Sequence, residues 1–155
     1  MSKRLYQAVL AELAPLRSAG YLTTYNDTIN RSAVTIVGTG LARLDLILSQ
    51  TPRDLFFDAR LDELSTRYLH LDPSISPLAS VDLARSGYRS ASFWREQPYW
   101  QMREWVRVAH SRGIAARVWG GPENNKWLRR KVWRGLMNIG VDWLNCDDVD
   151  EASVF

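Results

Sequence analysis

Cys146 is the single cysteine, and His70 and His110 are the only histidines. No intrachain disulfide can form, and one Cys with two distant His cannot build a zinc-type ligand set. No nucleophile-elbow sequence of the Ser/His/Asp kind is present either, which leaves no self-contained hydrolytic engine in view. Cys146 sits in the strand-like run Val141-Asp142-Trp143-Leu144-Asn145-Cys146 with no His close by in sequence, so it reads as a small packed thiol rather than a nucleophile. Long apolar runs are also missing. Nothing approaches the roughly 20 residues a bilayer span requires, and Met1-Ser2-Lys3-Arg4-Leu5-Tyr6 leads into a mixed polar helix rather than a signal peptide. The expectation is a soluble chain, with an intracellular compartment favoured over an oxidising one.

What is present suits one packed domain spanning 1–155. A chain of 155 residues with 46% hydrophobic content can bury a core. The net charge of +3 and pI near 9.2 would suit an anionic partner without requiring one. Tryptophan is abundant: Trp94, Trp100, Trp105 and Trp119 fall in a central stretch, and Trp127, Trp133 and Trp143 follow. Such large side chains either fill interlayer space or line clefts.

Leu5, Val9, Leu10, Leu13 and Leu16 recur at helical spacing, with Pro15 expected to end or kink that helix. Asn26, Asp27 and Asn30 form a polar turn before the β-branched run Ala33–Val37, expected as a buried strand, which ends at Gly38-Thr39-Gly40. A helix over Leu41–Leu48 then precedes a strand at Asp54–Asp58. Leu61–Tyr68 holds a helical turn or two, and Leu78–Val81 is a weaker strand. The helix Gln97–Ser111 is stopped by Gly113 and leads to a strand at Ile114–Trp119. Leu128, Val132, Leu136 and Met137 mark the next helix, closed by Gly140, before a final strand from Val141 to Cys146. Strands alternating with helices predict parallel βα units, because a crossover helix is what a parallel neighbour needs. Four or five units are too few for a complete barrel of about 250 residues, which leaves a small open sheet or part of a barrel.

Parallel α/β folds place their sites at C-terminal strand ends, which nominates Thr39, Asp58, Ser80, Trp119, Asn145 and Asp147. Asp58 and Asp147 suit metal or acid/base work, but each could equally cap a helix or accept a backbone N–H. Gly38-Thr39-Gly40 and Gly120-Gly121 could admit an anion to backbone donors, or simply make tight turns. The run Lys126–Arg134 carries five basic residues, no acidic one and two Trp. It could meet phosphates or an anionic membrane, or its charges could be the solvated outer face of a packed helix.

Two stretches are more particular: Arg112–Trp119, with His110 and Gly113 followed by Arg117 and Trp119, and Gly140–Asp148, with Val141, Asp142, Asn145 and Asp147. They resemble the last two βα units of the glycerophosphodiester phosphodiesterase and phosphatidylinositol-phospholipase-C-like superfamily. Leu13–Arg17, Gly20–Thr23, Val37–Gly40 and Phe57–Leu61 resemble its fungal altered-inheritance-of-mitochondria branch, although Arg60 stands where that branch has proline and Leu41 where it has asparagine. The resemblance implies a partial (β/α) TIM-type barrel, about the last four or five βα units of a PLC-like phosphodiesterase barrel. It implies phosphoric diester hydrolysis in lipid metabolism, with the catalytic His pair and the ligands of a divalent cation (Mg²⁺ or Ca²⁺) on strands upstream of this chain. The chain itself would then hold no catalytic residue, metal ligand or cofactor. Asp58, Ser80, Trp119, Asn145 and Asp147 would form substrate-pocket walls. The partner would be a missing N-terminal half-barrel or a second copy, the ligand a phosphodiester or lipid headgroup, and no nucleic acid is expected. The alternative is a dimeric, non-catalytic half-barrel that binds such a headgroup.

Overall fold

A computed structural model describes residues 1–87 and 96–155, with only the helical backbone of 96–98. Trp94 lies outside the described residues. The chain divides into two compact units, Met1–Asp58 with Leu71–Pro77, and Ala59–His70 with Leu78–Phe155.

The first unit opens with α1 (Lys3–Ser18), whose Ser2 hydroxyl accepts the Leu5 N–H at 3.2 Å and caps the first turn. Contrary to the expectation that it would end or kink the helix, Pro15 lies inside α1, which runs on to Ser18; Ala19 N–H closes on the Pro15 carbonyl at 3.0 Å. Proline's fixed φ is already helical, and the ring sits one turn from the end, where Arg17 fastens the last turn by two bonds to Asp54 at 2.6 and 2.8 Å. The buried anchor of α1 is Tyr6, 3% exposed, whereas Leu5 and Leu16 face solvent. Their helical spacing is real, but an aromatic ring reaches the core that they miss.

Asp27, at φ 61°, forms the tip of a hairpin between β1 (Thr24–Asn26) and β2 (Thr28–Asn30). The sequence signalled the turn but not the two short strands. β3 (Ile36–Gly38) pairs in parallel with β4 (Leu55–Arg60), Ile36 opposite Leu55. β3 is half-buried rather than buried, and the run continues toward the hairpin through a bridge from Val34 to Leu22. The helix between them, α2, is shorter than its apolar spacing suggests, Leu44–Leu48, and Leu41 is exposed.

In the second unit, β5 (Leu78–Asp82), β6 (Ala115–Trp119) and β7 (Trp143–Leu144) are parallel, with Asp82 opposite Trp119 and Arg117 opposite Trp143. α3 (Glu96–Ser111) and α4 (Lys126–Asn138) supply the crossovers. Ala79, Val81, Ala116 and Val118 alternate along β5 and β6 onto one face, all buried, and Met102, Val106, Ala109, Val132 and Leu136 of the helices are buried with them. Ser80, Asp82, Arg117 and Trp119 point to the other face. A short 3₁₀ turn, Leu61–Glu63, replaces the longer helix allowed for Leu61–Tyr68. A last helix, α5 (Val149–Ser153), follows Asp148, which accepts the Glu151 N–H at 2.9 Å. Each unit is therefore α/β with parallel strands, as the alternation predicted. No helix among the described residues is long and apolar enough to cross a membrane.

Candidate functional site

The loops leaving β6 and β7 enclose an open cleft of about 390 Å³, lined by Gly120–Asn124, Lys126, Arg129 and Asn145–Asp148. Its position follows from local chemistry. Gly120 takes φ +74°, and a Cβ there would stand 2.5 Å from Asp82 Oδ1, so only glycine lets this loop cross the end of β5. Asp82 in turn accepts the Ala84 N–H at 2.9 Å, which holds its carboxylate at the strand end. Asn125 caps α4 by accepting the Leu128 N–H, and so turns the loop into the helix. Across the cleft, Asn145 N–H bonds the Val118 carbonyl at 3.2 Å and Arg117 donates to Asn145 Oδ1 at 2.5 Å.

Asn145 and Asp147 line this cleft together, and Trp119 borders a small void beside it with Gly121 and Asn145. Ser80 does not sit at a strand end. β5 runs on to Asp82, so the Ser80 hydroxyl is buried mid-strand, without a hydrogen-bond partner among the described residues. Asp82 holds the terminal position, and sequence reading missed it because the weak Leu78–Val81 run gave no mark of its last residue. Asp58 is likewise internal to β4, half-buried, in the first unit, where Thr39 directly follows β3. Cys146 is not packed in the core; it is partly exposed on the cleft wall.

The basic helix also departs from a uniformly solvated face. Arg129 turns inward, its side chain 12% exposed, and donates to Glu151, to Asp148 at 3.4 Å and to the Glu123 carbonyl at 2.5 Å. Its charge is therefore matched inside the protein, and among the described residues Lys126 is the cation left at the cleft mouth. A second charged group lies where Arg60 and Arg85 both reach Asp62, at 2.8 and 3.0 Å. Burial pushes the Asp62 carboxyl up, but the two guanidiniums outweigh it and hold the group below the usual aspartate range. Arg60, which departs from the family's proline, thus has a structural partner.

His110 and Asp142, two of the most particular motif residues, lie at the opposite end of the strands from the cleft. His110 Nε2 is 2.8 Å from Asp142 Oδ2, and the same oxygen accepts the Ala116 N–H at 2.7 Å. They tie the end of α3 to the starts of β6 and β7, a place where parallel folds keep stabilising residues. Replacing Asp142 by Ala is expected to cost about 1–2 kcal/mol in urea denaturation, because it strands the Ala116 donor. The cleft, fixed from the other strand ends, should keep its ligand affinity.

The described residues do not fit a divalent cation. No group of three or more His, Cys, Asp or Glu among them is placed to hold one, and Asp148 spends its oxygens on the cap of α5 and on Arg129. The cleft offers an exposed ammonium, backbone and amide donors and carboxylates, a set able to orient a polar or anionic group.

Parallel βα units with a cleft at their C-terminal strand ends define an α/β scaffold of the kind barrels and open sheets share. Comparison with known proteins is more particular. Residues 1–58 match the AIM6-like phosphodiesterase domain. The chain is 33% identical to the altered inheritance of mitochondria protein 6 homolog of Arthroderma benhamiae, over 97% of this chain and 48% of that protein. It is also 33% identical to altered inheritance of mitochondria protein 6 of Eremothecium gossypii, over 99% of this chain and 43% of the relative, and 28% identical to the Lachancea thermotolerans protein of that name, over 91% and 38%. The chain thus spans about half the length of the curated relatives it matches. No solved structure matches it. Both comparisons return the fungal phosphodiesterase-like branch that the sequence motifs resemble.

Proposed function

We propose that the chain is the C-terminal half of a phosphodiesterase-like (β/α) barrel, whose strand-end cleft forms one wall of a pocket for a phosphodiester or lipid headgroup. The observation that supports this is the cleft itself. Loops after two successive parallel strands meet there around Lys126, Asn145 and Asp147, where a barrel of this kind would receive substrate. Catalytic histidines and the ligands of a divalent cation would come from strands this chain does not contain. Its own part is to bind and orient the diester: Lys126 meets the phosphate charge, Asn145 offers its amide, and Trp119 gives the alcohol moiety an apolar edge.

The purified chain, assayed on glycerophosphodiesters with Mg²⁺ or Ca²⁺, should show no turnover while binding the diester in the cleft, with Lys126→Gln weakening that binding. Metal-dependent hydrolysis by this chain alone would overturn the division of labour. Headgroup binding by a stable dimer, seen by size-exclusion with light scattering, would instead favour a self-sufficient binding module.

A further inference from the structure

Most arginines of the second unit are matched by a carboxylate: Arg60 and Arg85 on Asp62, Arg107 on Glu104, Arg129 and Arg130 on Glu151. Arg117 is different. It donates to the neutral Asn145 Oδ1 at 2.5 Å and makes no ion pair among the described residues. It stands on the face of β5, β6 and β7 opposite the buried one, with Ser80 in register on one side and Trp143 on the other. Trp143 is 62% exposed and Trp119, two residues along β6, is 42% exposed.

The bond from Arg117 fixes the side-chain amide of Asn145, a residue of the cleft wall. With its oxygen taken, the amide has its Nδ2 hydrogens left to offer, and these have no partner among the described residues. Guanidinium and amide thus present donors side by side. Ser80, 8% exposed and opposite Arg117, adds a hydroxyl without a partner among the described residues, so polar capacity on this face exceeds what the described residues use. Asp82 is the acidic residue that β5, β6 and β7 place on the same face, and it is engaged at the strand tip. Its Oδ1 accepts the Ala84 N–H at 2.9 Å and lies against Gly120, so its charge is not spent on Arg117.

We infer that Arg117 and Asn145 form an anion-binding fork that holds the two non-bridging oxygens of a single phosphodiester group. This rests on the phosphodiester reading of the cleft and deepens it: Arg117 grips the phosphate on the sheet face, while Lys126 acts from the mouth. A guanidinium presents planar, paired donors that match phosphate oxygens, whereas an ammonium is a point charge. The exposed indoles of Trp119 and Trp143 give the ester groups of the ligand an apolar border beside the fork. Arg117 therefore has two tasks, to bind the anion and to keep the Asn145 amide turned donor-outward.

The test is titration of the whole chain with dimethyl phosphate, a diester anion, and with trimethyl phosphate, its neutral analogue, followed through the indole N–H signals in proton–nitrogen NMR spectra. The diester should move the Trp119 and Trp143 signals, assigned with Trp119→Phe and Trp143→Phe, and leave those of Trp100 and Trp127 in place. The triester should move none of them. Arg117→Gln and Asn145→Ala should each weaken diester binding roughly tenfold, and Arg117→Lys, which keeps the charge without the fork, roughly threefold. Unchanged far-ultraviolet dichroism separates loss of binding from loss of fold. If Arg117→Gln binds like the parent while Lys126→Gln binds less well, the fork is overturned and the cleft reading stands. If Arg117→Gln loses binding and Lys126→Gln does not, the fork stands and the role given to Lys126 falls. An equal response to the triester, or no response to dimethyl phosphate, would also overturn the inference.

Discussion

Arg17→Met should lower the stability of the chain by about 3 kcal/mol, read as a fall in the urea midpoint with unchanged slope. Asp54 is fully buried, and the Arg17 guanidinium bonds both of its oxygens, at 2.6 and 2.8 Å. Removing the cation leaves a carboxylate in the core without its charged partner, which costs far more than the loss of one surface pair. Arg17 itself is partly exposed, so deleting its own packing accounts for little of the effect. The double variant Arg17→Met/Asp54→Leu separates these contributions. If desolvated charge is the cause, the double variant should recover much of what the single variant loses. An Arg17→Met protein as stable as the parent would mean that water reaches Asp54.

The second large effect is expected at Glu151. Its side chain is 3% exposed and accepts from Arg129 and Arg130, so it holds α5 against α4. Glu151→Ala should cost about 3 kcal/mol and leave the mostly buried Arg129 with Asp148, the Glu123 carbonyl and the Trp133 ring. The C-terminal segment should also become more open to protease, since its remaining fastenings include only weaker contacts such as the Phe155 ring against Trp133, 5.2 Å between centroids, and under Arg134. Glu151→Gln, which keeps the shape and removes the charge, should fall between. Limited proteolysis alongside urea denaturation distinguishes local release of α5 from unfolding of the whole unit.

These two residues show where sequence reading succeeded and where it stopped. Alternating apolar runs located β4, β6, α3 and α4 well, because periodicity and glycine stops are local signals. The two short strands flanking the Asp27 turn and the helix α5 escaped notice, since three-residue strands and a five-residue helix carry too little periodicity. Charged partners escaped for another reason. Arg17 and Asp54, or Arg129 and Glu151, are far apart in sequence, and nothing local marks Asp54 or Glu151 as buried. The expected strand end was met at Trp119, whereas β7 is Trp143–Leu144, shorter than the expected Val141–Cys146, and the ends of β5 and β4 lie two residues beyond Ser80 and Asp58. The motif residues His110, Gly140 and Asp142 carry the resemblance, yet His110 and Asp142 form a joint at the strand starts, beside a shallow hollow of their own, rather than part of the strand-end cleft.

The paired glycines at the cleft have opposite tolerances. A methyl on Gly120 would collide with Asp82, whereas one on Gly121 meets nothing within 4 Å, and Gly121 lacks the positive φ of its neighbour. The loop therefore has one position that must stay bare and, immediately beside it on the cleft wall, one that can accept a foreign group. Gly121→Cys in a Cys146→Ser background, labelled with a small environment-sensitive dye, turns that vacant neighbour into an observation point from which occupancy of the cleft could be followed directly.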